Sequence, residues 1–458
     1  MSLGTQPSAT PSDRIDGSQL AFVGAALVVG TLTGLMAATF RVLLTHAGDG
    51  RVGLVEWAHG SPVLGFVLVV GCAAVATSAA AWLVHRVEPH AEGSGIPRVE
   101  AVVEGRIEPG RFRILPVKYV GGLLSMGSGL ALGREGPCVQ MGGNIAIIVG
   151  SSLRRSRADV RVLVAAGAAA GLATAFNAPI AGGVFVLEEL VKRFDPRTTL
   201  ATLAASAAGF ASAHVLLHNS TTTDFTMPPL ADPTLAQAPI VLAVGIVTGL
   251  LGVAYNRAVM GSLRLADTSR VPVVARAAVI GALVGAIGWF GPSLVGGGDN
   301  LTQQALLGQG AIVGVVALLA LRFALGVISY AAATPGGLFA PMLVLGSHLG
   351  LLVGLVGQSV MPDQTPEPAG LALIGMAAFF TATVRAPVTG LILATEMTGS
   401  TILLAPMLGA CAVAMLVATV LRSTPIYDQL TARAVSASRW NAAEERAAHH
   451  PPHGAAPG

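Results

Sequence analysis

The sequence predicts an all-α, polytopic membrane protein built from tilted and broken helices arranged in two related halves. Three observations lead there. Of 458 residues, 53% are hydrophobic and only 11% charged, against about 25% charged in soluble domains. Eight apolar stretches approach the ~20 residues that a spanning helix requires. Glycine- and proline-rich segments interrupt this apolar sequence, and parts of it recur about two hundred positions later.

Taken in order, residues 1–18 are polar and carry Pro7 and Pro11. They lack the basic region, short apolar core and small-residue cleavage site of a signal peptide, so they read as a cytoplasmic tail. The candidate spans are Leu20–Leu44, Pro62–Val84, Leu200–Leu217, Pro239–Tyr255, Val271–Phe290, Ala311–Tyr330, Phe339–Val360 and Ile402–Leu421. Other apolar runs are too short to cross alone. A polar, proline-rich stretch, His218–Pro239, separates the halves, and the mixed-charge, His- and Pro-rich end of the chain reads as a disordered tail.

The net charge is +3 and the isoelectric point about 9.0. In a soluble protein this balance would suggest nucleic acid, but here the basic residues fall between spans. They group as Arg106, Arg111, Arg113 and Lys118, then Arg154, Arg155, Arg157 and Arg161, then Lys192, Arg193 and Arg197. All three groups are read as cytoplasmic loops under the positive-inside rule. Cys72, Cys138 and Cys411 lie in apolar sequence with no paired spacing, which excludes a zinc motif or disulfide framework and makes them buried small hydrophobes.

Two internal matches divide the chain. Asn177-Ala178-Pro179-Ile180-Ala181-Gly182, with Glu188 nine after the proline, matches Arg385-Ala386-Pro387-Val388-Thr389-Gly390, with Glu396 nine after; the prolines are 208 positions apart. Gly133 to Pro137, with Gly142, matches Gly337 to Pro341, with Gly346, at a spacing of 204. Together they set the boundaries 1–18 (tail), 19–218 (first repeat), 219–238 (connector), 239–437 (second repeat) and 438–458 (tail). Duplicated halves place a transporter's substrate site at their interface.

Three short segments open with glycine or proline clusters where an uninterrupted span would be expected, and each reads as a loop entering a helix. They are Gly93-Ser94-Gly95-Ile96-Pro97, Gly133-Arg134-Glu135-Gly136-Pro137 and Gly336-Gly337-Leu338-Phe339-Ala340-Pro341. Proline suits the first turn, and glycine lets backbone approach a ligand closely. A helix start carries roughly half a positive charge and free N–H donors. Several such starts meeting inside a membrane would hold an anion reversibly, as conduction requires. Irregular backbone at that depth is tolerated only where it is buried in protein or lines a cavity.

A carboxylate within such a stretch costs about 2.5–3.5 kcal/mol to insert, so Glu135 is a functional candidate. Ionised, it could occupy the anion position and block it; protonated, it could swing away, linking anion and proton movement. An ion pair with Arg134 is the structural alternative. Glu188 aligns with Glu396 and so reads as structural, whereas Glu189 aligns with Met397 and is the better candidate for a proton entrance.

These motifs, GSGIP at 93–97, GREGP at 133–137, GGLFAP at 336–341 and the tyrosine of Pro425-Ile426-Tyr427, resemble the CLC chloride channel and transporter family from about residue 19 to 437. The resemblance implies two halves of opposite membrane orientation and a homodimer with one pore per subunit. It implies that the Ser94 and Tyr427 hydroxyls and the Leu338 and Phe339 amides coordinate chloride, with Glu135 as gate. Gly93, Gly95, Ile96, Pro97, Gly133, Gly136 and Pro137 complete the motifs, and Arg134 and Lys118 would be supporting charges. Glu135 with Glu189 is the combination of the short prokaryotic proton-coupled exchangers, a passive channel being the alternative. Serine at 94 resembles chloride-selective members. About 31 residues follow Tyr427, so the nucleotide-sensing domains of larger relatives are expected to be absent.

The ions moved would be chloride and H+, with no cofactor and no metal. The surroundings would be a lipid bilayer, expected to be a bacterial inner membrane, with both termini cytoplasmic. An enzyme is not expected: Ser94 and His348 stand in neither a GxSxG nor an HExxH motif.

Overall fold

The computed structural model describes residues 17–217 and 223–436. The expected C-terminal tail, most of the N-terminal tail and the first part of the connector lie outside the described residues. In chain order the helices are α1 (Gly17–Ala58), α2 (Pro62–Val87), α3 (Ile96–Val103), α4 (Ile114–Gly127), α5 (Glu135–Ser152), α6 (Arg157–Phe176), α7 (Pro179–Phe185) and α8 (Pro196–Leu217), then α9 (Ala238–Thr268), α10 (Val273–Phe290), α11 (Asp299–Leu306), α12 (Ile312–Tyr330), α13 (Phe339–Val360), α14 (Pro368–Val384), α15 (Pro387–Thr398) and α16 (Leu404–Val420). No sheet occurs among the described residues; the only strand-like pairings there are two isolated bridges.

Each expected span falls on a helix, and α13 begins at the predicted Phe339. The largest departures are extensions: α1 runs on to Ala58 and α9 to Thr268. At 42 residues, α1 is about 60 Å long, twice the ~30 Å hydrocarbon core, so it must incline or project beyond it. The chain is a multi-pass membrane protein.

One span went unrecognised. Residues 157–176 form α6, whose sequence is rich in alanine and glycine and whose first turns hold Arg157 and Arg161, residues that their charge places in a loop. Its small residues serve packing inside the protein rather than contact with lipid. A Cβ on Gly142 of α5 would strike the Gly167 carbonyl of α6, and one on Gly167 would strike the Gly142 carbonyl. Gly346 of α13 and Gly375 of α14 meet in the same way. Lys118 also departs from expectation: it belongs to α4 and is buried, not part of a basic loop. Cys138 and Cys411 are buried as expected, but Cys72 is exposed on α2.

The sequence matches have matching local structures. α6 ends on Asn177 and α14 on Arg385, both in the left-handed region (φ 54° and 75°), and each is followed by Ala-Pro opening the next helix, α7 or α15. Glu188 accepts hydrogen bonds from the amides of Val388 (3.1 Å) and Thr389 (2.7 Å) and from Thr389 Oγ1 (2.7 Å). Glu396 accepts from the amides of Ile180 (3.0 Å) and Ala181 (2.6 Å). Each carboxylate thus caps the other half's helix, satisfying the donors that lack partners at a helix start.

Candidate ion-binding site

The three interrupted segments are joined to one another through their backbones. Gly93 N–H donates to Thr334 O (3.1 Å), and Gly336 N–H donates to Gly93 O (3.0 Å). Gly133 and Gly337 exchange both bonds, at 2.8 and 2.7 Å. The starts of α3, α5 and α13 are therefore fixed around one buried region. Glycine is required at two of these places: Gly93 has φ 63°, and a Cβ on Gly136 would collide with Ser94 Oγ.

Ser94, Glu135, Leu338, Phe339 and Tyr427 are all at most 2% exposed. Ser94 Oγ, Tyr427 Oη and Glu135 Oε2 are buried without a hydrogen-bond partner in the chain, which is unusual for buried polar atoms. Tyr427 joins this region through aromatic packing: its ring meets Phe185 edge-on at 6.3 Å, and Phe185 meets Phe339 at 5.7 Å. Glu135, first residue of α5, lies against the Ala340 amide at the start of α13. The arrangement offers neutral hydroxyls and helix-start amides, donors that suit a partly dehydrated anion. Gly95, Ile96 and Pro97 form the α3 start, and Pro137 lies in the first turn of α5.

Lys118 fixes the Ser94 loop from behind, donating to Ala91 O at 3.0 Å and Gly93 O at 2.6 Å. Arg134 turns elsewhere: its Nε donates to Ala175 O (3.1 Å), while Nη1 meets Asp299 (3.3 Å) and Nη2 Asp224 (3.9 Å). Tyr330, which no sequence signal singled out, approaches the Ser94 amide with its hydroxyl at 3.5 Å. A cavity of about 240 Å³ reaches Ser94 and Tyr330 past His90, Glu92, Arg98 and Arg433.

Glu189 is separate from this cluster in its bonding. It is 5% exposed and lies in a π-helical turn, Val186–Leu190, that continues α7. Just beyond, Lys192 pairs with Glu100 (2.7 Å) and Asp428 (2.8 Å), and Thr431 Oγ1 donates to Glu100 at 2.6 Å. Burial would lower the Lys192 pKa, but these two bonds outweigh it and raise the pKa. Tyr427 is within Coulombic range of both Glu135 and Glu189. His348 bonds its own helix through Val344 O (2.9 Å), consistent with a packing role. No cluster of potential metal ligands occurs among the described residues.

A family model described as voltage gated chloride channel matches residues 76–419. The H(+)/Cl(−) exchange transporter ClcA of Vibrio parahaemolyticus is 36% identical over 421 residues, covering 89% of this chain and 88% of that protein. The crystal structure of a slow cyanobacterial Cl−/H+ antiporter matches with a TM-score of 0.86 at 33% identity, covering 91% of this chain and 98% of the other. A CLC-type fluoride/proton antiporter shares the fold, with a TM-score of 0.73 at 22% identity over 91% of this chain and 98% of that one. The stitched helix starts thus belong to a known architecture, and the chain is a member of the voltage-gated chloride channel, or CLC, family.

Proposed function

We propose that this chain exchanges chloride for protons, with Glu135 as gate and Glu189 as the internal proton-transfer group. The observation that carries the reading is the convergence of unpartnered Ser94, Tyr427 and Glu135 oxygens on the joined starts of α3, α5 and α13. Chloride accepts from the Ser94 and Tyr427 hydroxyls and from the Leu338 and Phe339 amides. The ionised Glu135 carboxylate competes for the same donors; once protonated it loses that advantage and yields to chloride. Glu189 hands protons between the Lys192 side and Glu135, and Tyr427 is within electrostatic range of both carboxyl groups.

Two inverted halves, 19–218 and 239–437, belong to the same proposal, and the reciprocal capping by Glu188 and Glu396 supports their relation. So do a homodimer with one pore per subunit, cytoplasmic termini and basic loops, and residence in a bacterial inner membrane. The relatives named as exchangers favour exchange over passive conduction.

Reconstituted liposomes with paired chloride and pH electrodes test this. An imposed chloride gradient should drive protons uphill. Glu135→Gln should abolish that pumping while some chloride flux remains, and Glu189→Gln should suppress proton movement with chloride flux retained. Chloride flux without proton pumping in the unmodified protein would establish a channel instead.

A further inference from the structure

At the Glu135 end of the site, four charged side chains from four elements alternate in sign. Arg41 of α1 donates to Asp224 of the connector at 2.9 Å. Arg134 lies 3.9 Å from Asp224 and 3.3 Å from Asp299, the first residue of α11. Two guanidinium groups therefore meet two carboxylates. Asp224 is shared and its side chain is 8% exposed, whereas Asp299 pairs directly with Arg134, is within Coulombic range of Arg322 and is 54% exposed.

The turn that leads into Asp299 is fixed by an arginine. Arg322 on α12 donates to Leu294 O (3.2 Å) and Gly297 O (2.9 Å), fixing the turn before α11, and its guanidinium packs against Gly298, which has φ 95°. Both Arg134 and Asp299 are within Coulombic range of Glu135. The Arg322 guanidinium of α12 is also within Coulombic range of Asp299; the remaining groups facing this point, the Cys138 thiol of α5, the Ala175 carbonyl of α6 and the Ala340 amide of α13, carry no full charge.

We propose that Asp299 is a positioning residue that sets chloride affinity and the proton response of the gate by neutralising Arg134. This rests on the exchanger reading for its proton half only. With Asp299 ionised, Arg134 presents little net charge to the path. With Asp299 neutral, Arg134 keeps only the longer 3.9 Å contact with Asp224, which Arg41 shares, so a guanidinium with part of its charge unbalanced stands beside Glu135. Chloride is then held more tightly, and Glu135 keeps its charge to lower pH, since a nearby positive charge favours the carboxylate. The link is partly exposed, so its effect falls as ionic strength rises.

The test is chloride binding by titration calorimetry, with isethionate as the replacing anion, and chloride flux against the pH on the Glu135 side in liposomes. Asp299→Asn should tighten chloride binding roughly three- to tenfold and shift the flux profile to lower pH by about half a unit or more. Asp299→Glu should restore both. In a Glu135→Gln background the affinity gain should persist while the pH shift disappears. Asp299→Ser, also compatible with a helix start, serves if the Asn variant folds poorly. Unchanged or weaker chloride binding in both neutral variants would overturn the inference, as would a pH shift that survives Glu135→Gln. The affinity measurement needs no proton coupling, so it separates a failure of this inference from a failure of the exchanger reading.

Discussion

Glu188 offers the most direct test of how the two parts of the chain are held. Pro387 opens α15 and has no N–H, so the next two amides, Val388 and Thr389, are the free donors, and Glu188 takes both together with the Thr389 hydroxyl. A hydrogen bond to an ionised group contributes about 1.5–3 kcal/mol, and leaving a buried donor unsatisfied costs about 1–3 kcal/mol. A carboxylate at a helix start adds up to ~2 kcal/mol. These contributions overlap and the carboxylate is only part-buried, so the sum is discounted: Glu188→Ala should cost roughly 3–5 kcal/mol. Glu188→Gln keeps an acceptor oxygen but loses the charge, and should cost roughly half as much. The assay is the unfolding free energy in mixed micelles of a mild and a denaturing detergent, followed by circular dichroism. A loss below about 1 kcal/mol for Glu188→Ala, within the range of an ordinary surface change, would refute the cap; equal losses for Ala and Gln would refute the role of its charge.

Two further outcomes follow from the packing behind the site. Lys118→Met removes the donor to Ala91 O and Gly93 O and should weaken chloride binding at least about tenfold by calorimetry, because the Ser94 loop loses its anchor. Gly136→Ala places a methyl group against Ser94 Oγ and its backbone and should weaken binding similarly, while Gly24→Ala, where nothing lies within 4 Å, should leave it unchanged.

Legibility in the sequence followed chemistry that is local. Long apolar runs such as Pro62–Val84 and Phe339–Val360 announce spans because lipid contact demands hydrophobicity at every turn. α6 escaped because protein, not lipid, surrounds it, so alanine and glycine replaced larger apolar residues. The Ser94, Glu135 and Phe339 segments were readable since glycine and proline act on their own backbone. The partners of Arg134 were not: Asp224 and Asp299 lie 90 and 165 positions away, and nothing local specifies the pairing. Tyr330 looked like the end of an apolar span. The charge of Lys118 suggests a loop, whereas its ammonium group ends on carbonyls inside the protein.

The bonds joining Gly93 to Thr334 and Gly336, and Gly133 to Gly337, are made by peptide groups alone. Provided the backbone keeps its shape there, neighbouring side chains can be exchanged without removing a donor or an acceptor. A change of length is different: one residue gained or lost in any of these segments would slide the donors past their acceptors by about 3.3 Å, more than the length of the bonds themselves. Over generations, insertions and deletions rather than replacements are the changes this junction cannot absorb.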